Sequence, residues 1–313
     1  MMTRNHSRRL SWKGAALIGL ASMVMAGCQW FNGKESEAEE LVWCTVEYDD
    51  SITVNGAKAF QEMRIDFPPS QAADKADKGT VAALGWIREQ VAACSYPNYE
   101  NDPLDSVITF SIDEVERFAE PFVKSCGRQG LDRMSSGLRE FASEGFDGSF
   151  MNMLHIELQE QTPEYLTLFQ EHDVYTGGAH GGQYLAGITF SKKDGKQLGW
   201  NLFNMDKKAE LIELIKTQLK KEFSADASEP ITTDEQLQDL LILYDDPETP
   251  ENELEYGLPL PVTAPWVTRD GIIFLYQEYE IACYAMGRPS VILPYEALKP
   301  LLSDEGKALL NLQ

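Results

Sequence analysis

Apolar and polar residues alternate over two stretches early in the chain, Leu41 to Val54 and Phe60 to Phe67. A period of two predicts half-buried β-strands. Asn55-Gly56 between them is a strong signal for a tight hairpin turn. The second strand ends at Pro68-Pro69, because proline cannot donate a hydrogen bond to a ladder. The pattern therefore predicts an N-terminal β-hairpin.

Helical periodicity replaces the alternation after this hairpin. A helix is predicted from Thr80 to Cys94, with one apolar face formed by Val81, Leu84, Ile87, Val91 and Ala92. A second helical region, Ile112 to Ser143, begins at a capping box formed by Ser111 and Glu114. Helix breakers inside this region predict that it divides into two pieces, and they are Pro121, Gly127 and Gly130.

Strand patterns return at Phe150. Phe150 to Leu158 and Tyr165 to Tyr175 flank a turn at Thr162-Pro163, and Gly182 to Phe190 precedes a second turn at Asp194-Gly195. Two helices, an exposed acidic loop, a hairpin around Asp270-Gly271, a short strand and a last helix starting at Pro294 or Tyr295 follow. The two helices are predicted over Lys207 to Phe223 and Asp234 to Leu243, and the acidic loop over Asp245 to Glu255. The strands of the hairpin are Trp266 to Thr268 and Ile272 to Tyr279, and the short strand is Val291 to Leu293.

These elements predict an α+β fold in which a strand pair with helices precedes a second α+β unit. The predicted organisation is a signal peptide over residues 1–27, a flexible acidic tether over 28–40, and two domains over 41–149 and 150–313.

The first 28 residues have the order of a secretory signal. A basic start is followed by an apolar run from Ala15 to Ala26, which is too short to span a bilayer. Met25-Ala26-Gly27-Cys28 then resembles a bacterial lipobox, whose cysteine receives the lipid. We therefore expect a lipoprotein anchored at Cys28. An aspartate directly after the lipidated cysteine would favour retention in the inner membrane. Gln29 stands at this position instead, so we expect the protein in the outer membrane, on its periplasmic or surface face.

The chain has 27 basic and 50 acidic residues. This balance disfavours nucleic acid as a partner, because nucleic-acid binding needs a basic footprint. Four cysteines remain after lipidation, Cys44, Cys94, Cys126 and Cys283, and an oxidising compartment allows three pairings. We prefer a Cys94–Cys126 disulfide, with buried free thiols as the alternative.

The segment Tyr175 to Gly182, YTGGAHGG, has four glycines in eight residues and requires an unusual backbone. It lacks the Gly-Lys-Ser/Thr ending of a phosphate-binding loop and the glycine spacing of a dinucleotide fingerprint. The candidate ligand-binding residues, here and on a strand predicted to carry paired glutamates, are Tyr175, Gly177, Gly178, His180, Tyr276 and Glu278.

The letters YTGGAHG resemble the hallmark of the C-terminal domain shared by the anti-sigma factor RsiV and the peptidoglycan deacetylase PdaC. Residues 187–203 and 266–302 are similar to later parts of that family. The resemblance implies an α+β domain similar in fold to a subdomain of the heat-shock-cognate ATPase, without ATPase activity. It also implies a binding role in the cell envelope, since RsiV binds lysozyme there, and the catalytic domain of PdaC has no counterpart in this chain.

Other roles for the same residues stay open. His155, His172 and His180 could form a metal cluster, although a hydrogen-bonded structural role for His180 is favoured and no cofactor is expected. Glu278 and Glu280 would face the same way on a strand and could act on a cell-wall glycan. Tyr284 and Trp266, predicted as half-buried sheet residues, could stack on carbohydrate. The leading hypothesis is a non-enzymatic envelope lipoprotein that binds a lysozyme-like protein or cell-wall glycan; the rivals are a glycan-directed enzyme and a purely structural protein.

Overall fold

A computed structural model describes residues 42–70, 76–95, 110–225, 227, 229–242 and 257–312. All of them belong to one structural unit, Glu39–Gln313. The predicted signal peptide, Cys28, the tether and the acidic loop over 245–255 lie outside the described residues. In the part of the chain that is described, no helix is both long and apolar enough to cross a membrane.

A six-stranded sheet forms the larger layer of the fold. Its strands follow one another in chain order, and all neighbours are antiparallel except β2 and β3, which are parallel. The strands are β1 (Cys44–Val54), β2 (Ala57–Phe67), β3 (Ser149–Gln161), β4 (Tyr165–Tyr175), β5 (Gly182–Ser191) and β6 (Gln197–Leu198).

The predicted N-terminal hairpin is confirmed. Asn55 and Gly56 connect β1 to β2 with φ values of 49° and 94°, the left-handed region that a two-residue hairpin turn requires. The predicted domain boundary, between residues 149 and 150, falls at the start of β3. Because β3 pairs with β2 on one side and β4 on the other, this boundary lies inside the sheet.

Two helices, α1 (Lys78–Cys94) and α2 (Val115–Ser143), cover one face of the sheet. Of the predicted apolar face of α1, Leu84, Ile87, Val91 and Ala92 are buried, and Val81 is not. Val81 is 51% exposed, because Thr80 and Ala83 take the buried positions in that turn. The capping box of Ser111 and Glu114 before α2 is confirmed.

The predicted break in the second helix is wrong, because α2 is continuous through Pro121. Its glycines permit close packing against the sheet instead of ending the helix. A Cβ on Gly127 would lie 2.3 Å from the Tyr48 ring, and one on Gly130 would lie 2.7 Å from the Gln61 Oε1. Burial of the α2 apolar face therefore outweighs the hydrogen bond that proline removes.

The C-terminal part packs on the opposite face of the sheet, over its β4–β5 end. It contains a three-stranded sheet, a long helix and several short helices around a second core. The Trp266 ring lies over Gly187, where an added Cβ would be 2.1 Å from the indole. The elements are α3 (Lys208–Ala225), α4 (Asp234–Gln238), β7 (Trp266–Thr268), β8 (Gly271–Leu275), β9 (Ser290–Leu293) and the short helices Tyr295–Leu298 and Asp304–Leu309.

Two of these elements are shorter than predicted. α4 ends at Gln238, and β8 ends at Leu275 instead of continuing to Tyr279. Gln277 and Glu280 close a turn directly after β8, since the Glu280 carboxylate accepts from the Gln277 backbone N–H at 2.7 Å. The mixed α+β class is confirmed, with the strands and helices in the predicted order.

The preferred disulfide is absent. Cys44, Cys94, Cys126 and Cys283 are all free thiols, and Cys94 and Cys126 are both buried in the core between the sheet and its helices. The alternative of buried free thiols therefore describes this pair.

Candidate ligand-binding site

The glycine-rich segment forms the loop between β4 and β5. Gly177 and Gly178 have φ values of 98° and 95°, and a Cβ on Gly181 would lie 2.8 Å from the Val174 carbonyl oxygen. These values confirm the predicted unusual backbone, which only glycine adopts without strain. The Tyr175 hydroxyl donates to the Gly178 carbonyl at 3.0 Å and holds the loop against its own strand.

His180 lies exposed at the end of this loop, and both of its ring nitrogens are bonded. Nδ1 lies 2.9 Å from the Gly181 carbonyl oxygen, and Nε2 lies 3.1 Å from the Tyr279 hydroxyl. A carbonyl oxygen can only accept, so Nδ1 donates to Gly181, and in the neutral ring Nε2 accepts from Tyr279. The predicted structural hydrogen bond of His180 is therefore present, but on a side chain that faces solvent.

Three exposed rings, His180, Tyr279 and Tyr284, form what we call the ring cluster. The imidazole stacks on Tyr284 with centroids 4.3 Å apart and planes 24° apart. Tyr279 lies 5.9 Å from His180 and 6.0 Å from Tyr284, with planes 36° and 30° apart. The His180 and Tyr284 rings are in stacking contact, and Tyr279 is tilted against both, so the three rings do not face one another around a central space. The cluster is an open stacking surface and not an aromatic cage.

Tyr279 adopts a left-handed backbone, with φ at 63°. This conformation is uncommon for a bulky residue and persists only where the surrounding contacts enforce it. The Glu280 carboxylate provides such contacts by accepting from the backbone N–H groups of Gln277 and Val262, both at 2.7 Å. The Gln277 amide adds bonds to Leu185 on β5. The turn is thus held in the conformation that presents the Tyr279 ring.

Glu278 is fixed in an ion pair next to the ring cluster. Its carboxylate lies 2.5 Å from the Arg288 guanidinium, and the two side chains are only 16% and 10% exposed. Arg288 also donates to the Gln183 carbonyl at 3.0 Å. The prediction that Glu278 and Glu280 share one strand face is wrong, because β8 has already ended and each carboxylate has a separate structural partner.

Tyr276 does not contribute to this surface. Its side chain is fully buried, and its hydroxyl donates to the Pro259 carbonyl at 2.8 Å. Burial raises the pKa of this hydroxyl well above its usual value. Trp266, predicted as half-buried, is likewise in the core and bonded to Gln159. Both side chains are buried and are not available to a ligand.

An acidic strip of Glu157, Glu171 and Asp173 lies on the sheet face beside the ring cluster. Gln183 connects the strip to the Glu278–Arg288 pair next to the ring cluster, because its side-chain amide donates to Glu171 at 2.6 Å while its carbonyl accepts from Arg288. Burial and the neighbouring charge of Asp173 raise the pKa of the Glu171 carboxyl. One oxygen of Asp173 is shielded from solvent and accepts no hydrogen bond.

The three histidines are not brought together. His155 pairs in register with Glu171, and His172 pairs with Leu154, so their side chains lie on opposite faces of the sheet. His155 contacts Glu62 at 2.9 Å, whereas His180 lies in the ring cluster. Among the described residues, no group of three or more potential ligands could hold a metal ion.

The structure also shows a buried polar cluster, Gln61, Cys94, Asn152 and His172, that the sequence analysis missed. His172 Nε2 lies 2.8 Å from the Asn152 Oδ1 and 3.8 Å from the Cys94 Sγ, and Asn152 donates to Gln61 at 3.0 Å. A cysteine, a histidine and an asparagine in contact resemble a nucleophilic site in composition. These residues come from three separate strands and one helix, so no local spacing could have revealed them.

The environment of this cluster opposes nucleophilic chemistry. Burial raises the pKa of the Cys94 thiol to about 12 and lowers the pKa of His172. A reactive thiol needs the opposite shift. The same nitrogen of His172 also contacts both Asn152 and Cys94, so the asparagine does not orient the ring from its far side as a triad requires. We interpret the cluster as a structural hydrogen-bond network.

Comparisons with known proteins place a family match in the second half of the chain. Residues 201–296 match a model described as a protein of unknown function, DUF3298. A crystal structure of a DUF3298 family member from Bacteroides fragilis is similar with a TM-score of 0.56 at 20% identity, over 87% of this chain and 97% of that chain. A DUF3298 family protein from Pseudomonas aeruginosa gives 0.53 at 13% identity, over 85% and 96%.

At these identities the likeness supports a shared fold. Comparison with curated proteins gave no match. The comparisons therefore support a DUF3298 domain of unknown function, and the finer resemblance to RsiV and PdaC stays a prediction.

Proposed function

We propose that this protein is a non-catalytic binding protein, anchored to the outer membrane through Cys28, whose ring cluster binds a cell-wall glycan. The observation that supports it most is the open stack of His180, Tyr279 and Tyr284, held by a strained turn and a glycine-rich loop. Exposed aromatic faces stack on the apolar faces of sugar rings, and a rigid platform loses little entropy on binding.

A catalytic role receives less support from the same surface. The Glu278 carboxylate forms an ion pair with Arg288, and the Glu280 carboxylate accepts hydrogen bonds from two backbone N–H groups. Neither carboxylate is free to act as an acid or base on a bound sugar. The function we propose is therefore recognition.

The test measures binding of chitin tetrasaccharide and of soluble peptidoglycan fragments to the full chain by calorimetry. Tyr284→Ala should weaken binding about tenfold or more, equivalent to about 1.4 kcal/mol. Tyr184→Ala is the matched control, because Tyr184 is 44% exposed, against 42% for Tyr284, and lies outside the ring cluster. If neither kind of glycan binds, or if Tyr284→Ala and Tyr184→Ala weaken binding equally, the proposal is overturned.

The anchor has its own test. A strain fed with labelled palmitate should incorporate label into the wild-type protein and not into Cys28→Ser, which should remain unprocessed. Label in the serine variant would contradict the anchor without affecting the glycan proposal.

A basic protein such as lysozyme is a second candidate ligand, favoured by the open sheet face of β1 to β4. Side chains there alternate with the buried core positions and are half-buried or exposed, and they include Glu47, Asp49, Glu62, Asp66 and the acidic strip. Lysozyme binding that weakens with salt and with Glu47→Lys, but not with Tyr284→Ala, would support this candidate. No lysozyme binding at low salt would remove it.

A further inference from the structure

The ring cluster and the acidic strip are joined by a continuous series of contacts. Glu278, next to Tyr279 in sequence, pairs with Arg288, which donates to the Gln183 backbone. The Gln183 side chain in turn donates to Glu171. A ligand on the rings that extends toward β4 therefore passes along the strip.

The charges along this route do not balance. Two basic side chains lie near the strip: Arg288 pairs with Glu278, and His155 contacts Glu62, and both also act electrostatically on Glu171. They stand against five carboxylates, those of Glu62, Glu157, Glu171, Asp173 and Glu278. Within the described part of the chain, no ion pair joins a lysine or arginine to Glu157, Glu171 or Asp173. The strip is thus a local excess of negative charge beside a surface suited to sugar stacking.

We propose that the site selects glycans with free amino groups, so that one sugar stacks on the ring cluster while a neighbouring ammonium group lies near the acidic strip. The inference rests on the proposed function and names the class of glycan it applies to. An N-acetylated sugar can stack equally well but gains nothing from the strip, and a sugar carboxylate is repelled by it.

The experiment compares chitin and chitosan tetrasaccharides, which differ only in acetylation, on the full chain in mildly acidic buffer. At low salt the amino form should bind about five- to tenfold more tightly, and high salt should remove most of this preference. An anionic oligosaccharide of equal length should bind more weakly than chitin tetrasaccharide.

Two double variants assign the effect to the strip. Glu171→Gln with Asp173→Asn should reduce the preference for chitosan to about twofold or less and leave chitin affinity unchanged. The glutamine can still accept from Gln183. The control, Glu116→Gln with Glu120→Gln on α2, removes the same charge on exposed helix positions and should keep the preference.

The outcomes separate the two proposals. Equal affinity for both tetrasaccharides, or a preference that the strip variant does not change, would overturn the charge selection while leaving glycan binding in place. Failure of both tetrasaccharides and of peptidoglycan fragments to bind would instead overturn the proposed function.

Discussion

The buried polar cluster and the ring cluster each contain a hydrogen-bonded histidine, His172 on β4 and His180 in the loop that follows β4. The two clusters differ in what surrounds the imidazole. His172 lies among Cys94, Asn152 and Gln61, where polar groups satisfy one another and desolvation keeps the imidazole neutral. His180 is exposed and stacked on two tyrosines. The first arrangement is closed, and the second leaves ring surface for a ligand.

The difference shows why residue types alone do not identify a site. Cysteine, histidine and asparagine in contact resemble catalytic machinery, but burial makes each group less reactive. The ring cluster has no reactive pair, but it combines exposure with a strained backbone at Tyr279, and strain of this kind gathers at binding sites. The comparison predicts that changes in the buried cluster affect stability and changes in the ring cluster affect binding.

The largest expected difference is in thiol reactivity. Cys94 belongs to the buried cluster, whereas Cys283 is partly exposed and directly precedes Tyr284. A soluble maleimide should modify Cys283 and the exposed Cys44 in the native protein, and modify Cys94 at least about a thousandfold more slowly, because Cys94 reacts only after unfolding. Mass spectrometry of labelled peptides measures the rates. Fast native labelling of Cys94 would mean that the cluster is open.

Asn152→Ala should give the next largest effect, a loss of about 3 kcal/mol in the free energy of unfolding. The substitution removes a hydrogen-bond partner from the Gln61 side chain, from the Cys94 carbonyl and from His172, all in the core. Urea denaturation gives the value. Tyr284→Ala is the comparison and should change stability by about 0.5 kcal/mol or less. Similar losses in both variants would erase the distinction between a structural cluster and a binding surface.

Much of this fold is predictable from the sequence, because it depends on local signals. The Asn55-Gly56 hairpin, the Ser111–Glu114 capping box and the glycine loop after Tyr175 each follow from backbone geometry within a few residues. Residues that are close in sequence are sufficient to determine such features.

The remaining features depend on contacts between distant segments. The unbroken α2 depends on Gly127 packing against Tyr48, and the end of β8 depends on where the Glu280 carboxylate finds its donors. On the predicted strand Tyr276 and Tyr279, three residues apart, would point to opposite faces, but the local pattern does not show which of the two faces is buried. Of the predicted site, His180 and its loop are at the surface. Tyr284, which was predicted to be half-buried, is one of the three exposed rings of the ring cluster.

A pH titration of stability tests the neutral state of His172. Its folded pKa is lowered, so below about pH 6.5 the unfolded chain binds a proton that the folded protein does not. The free energy of unfolding should therefore fall as the pH drops below 6.5, by no more than about 1.4 kcal/mol per pH unit for one proton.

The control for this titration is His172→Gln, which keeps an amide donor for Asn152 and cannot titrate. Glu171 and Glu280 act in the opposite direction, because their raised pKa values favour the folded state on acidification. The difference between wild type and His172→Gln isolates the histidine. No difference between pH 5 and 7 would show that His172 is not kept neutral by the fold.

The smallest effect concerns the backbone under the ring cluster. Tyr279 has φ at 63°, which glycine adopts freely, so Tyr279→Gly should be more stable to urea than Tyr279→Ala by about 1 kcal/mol. Both variants lack the ring and should bind chitin tetrasaccharide equally weakly. Tyr279→Phe keeps the ring but loses the bond to His180, so it should retain most of the binding. If glycine were no more stable than alanine, the turn would not be strained; if phenylalanine bound as poorly as alanine, the hydroxyl rather than the stacking face would carry recognition.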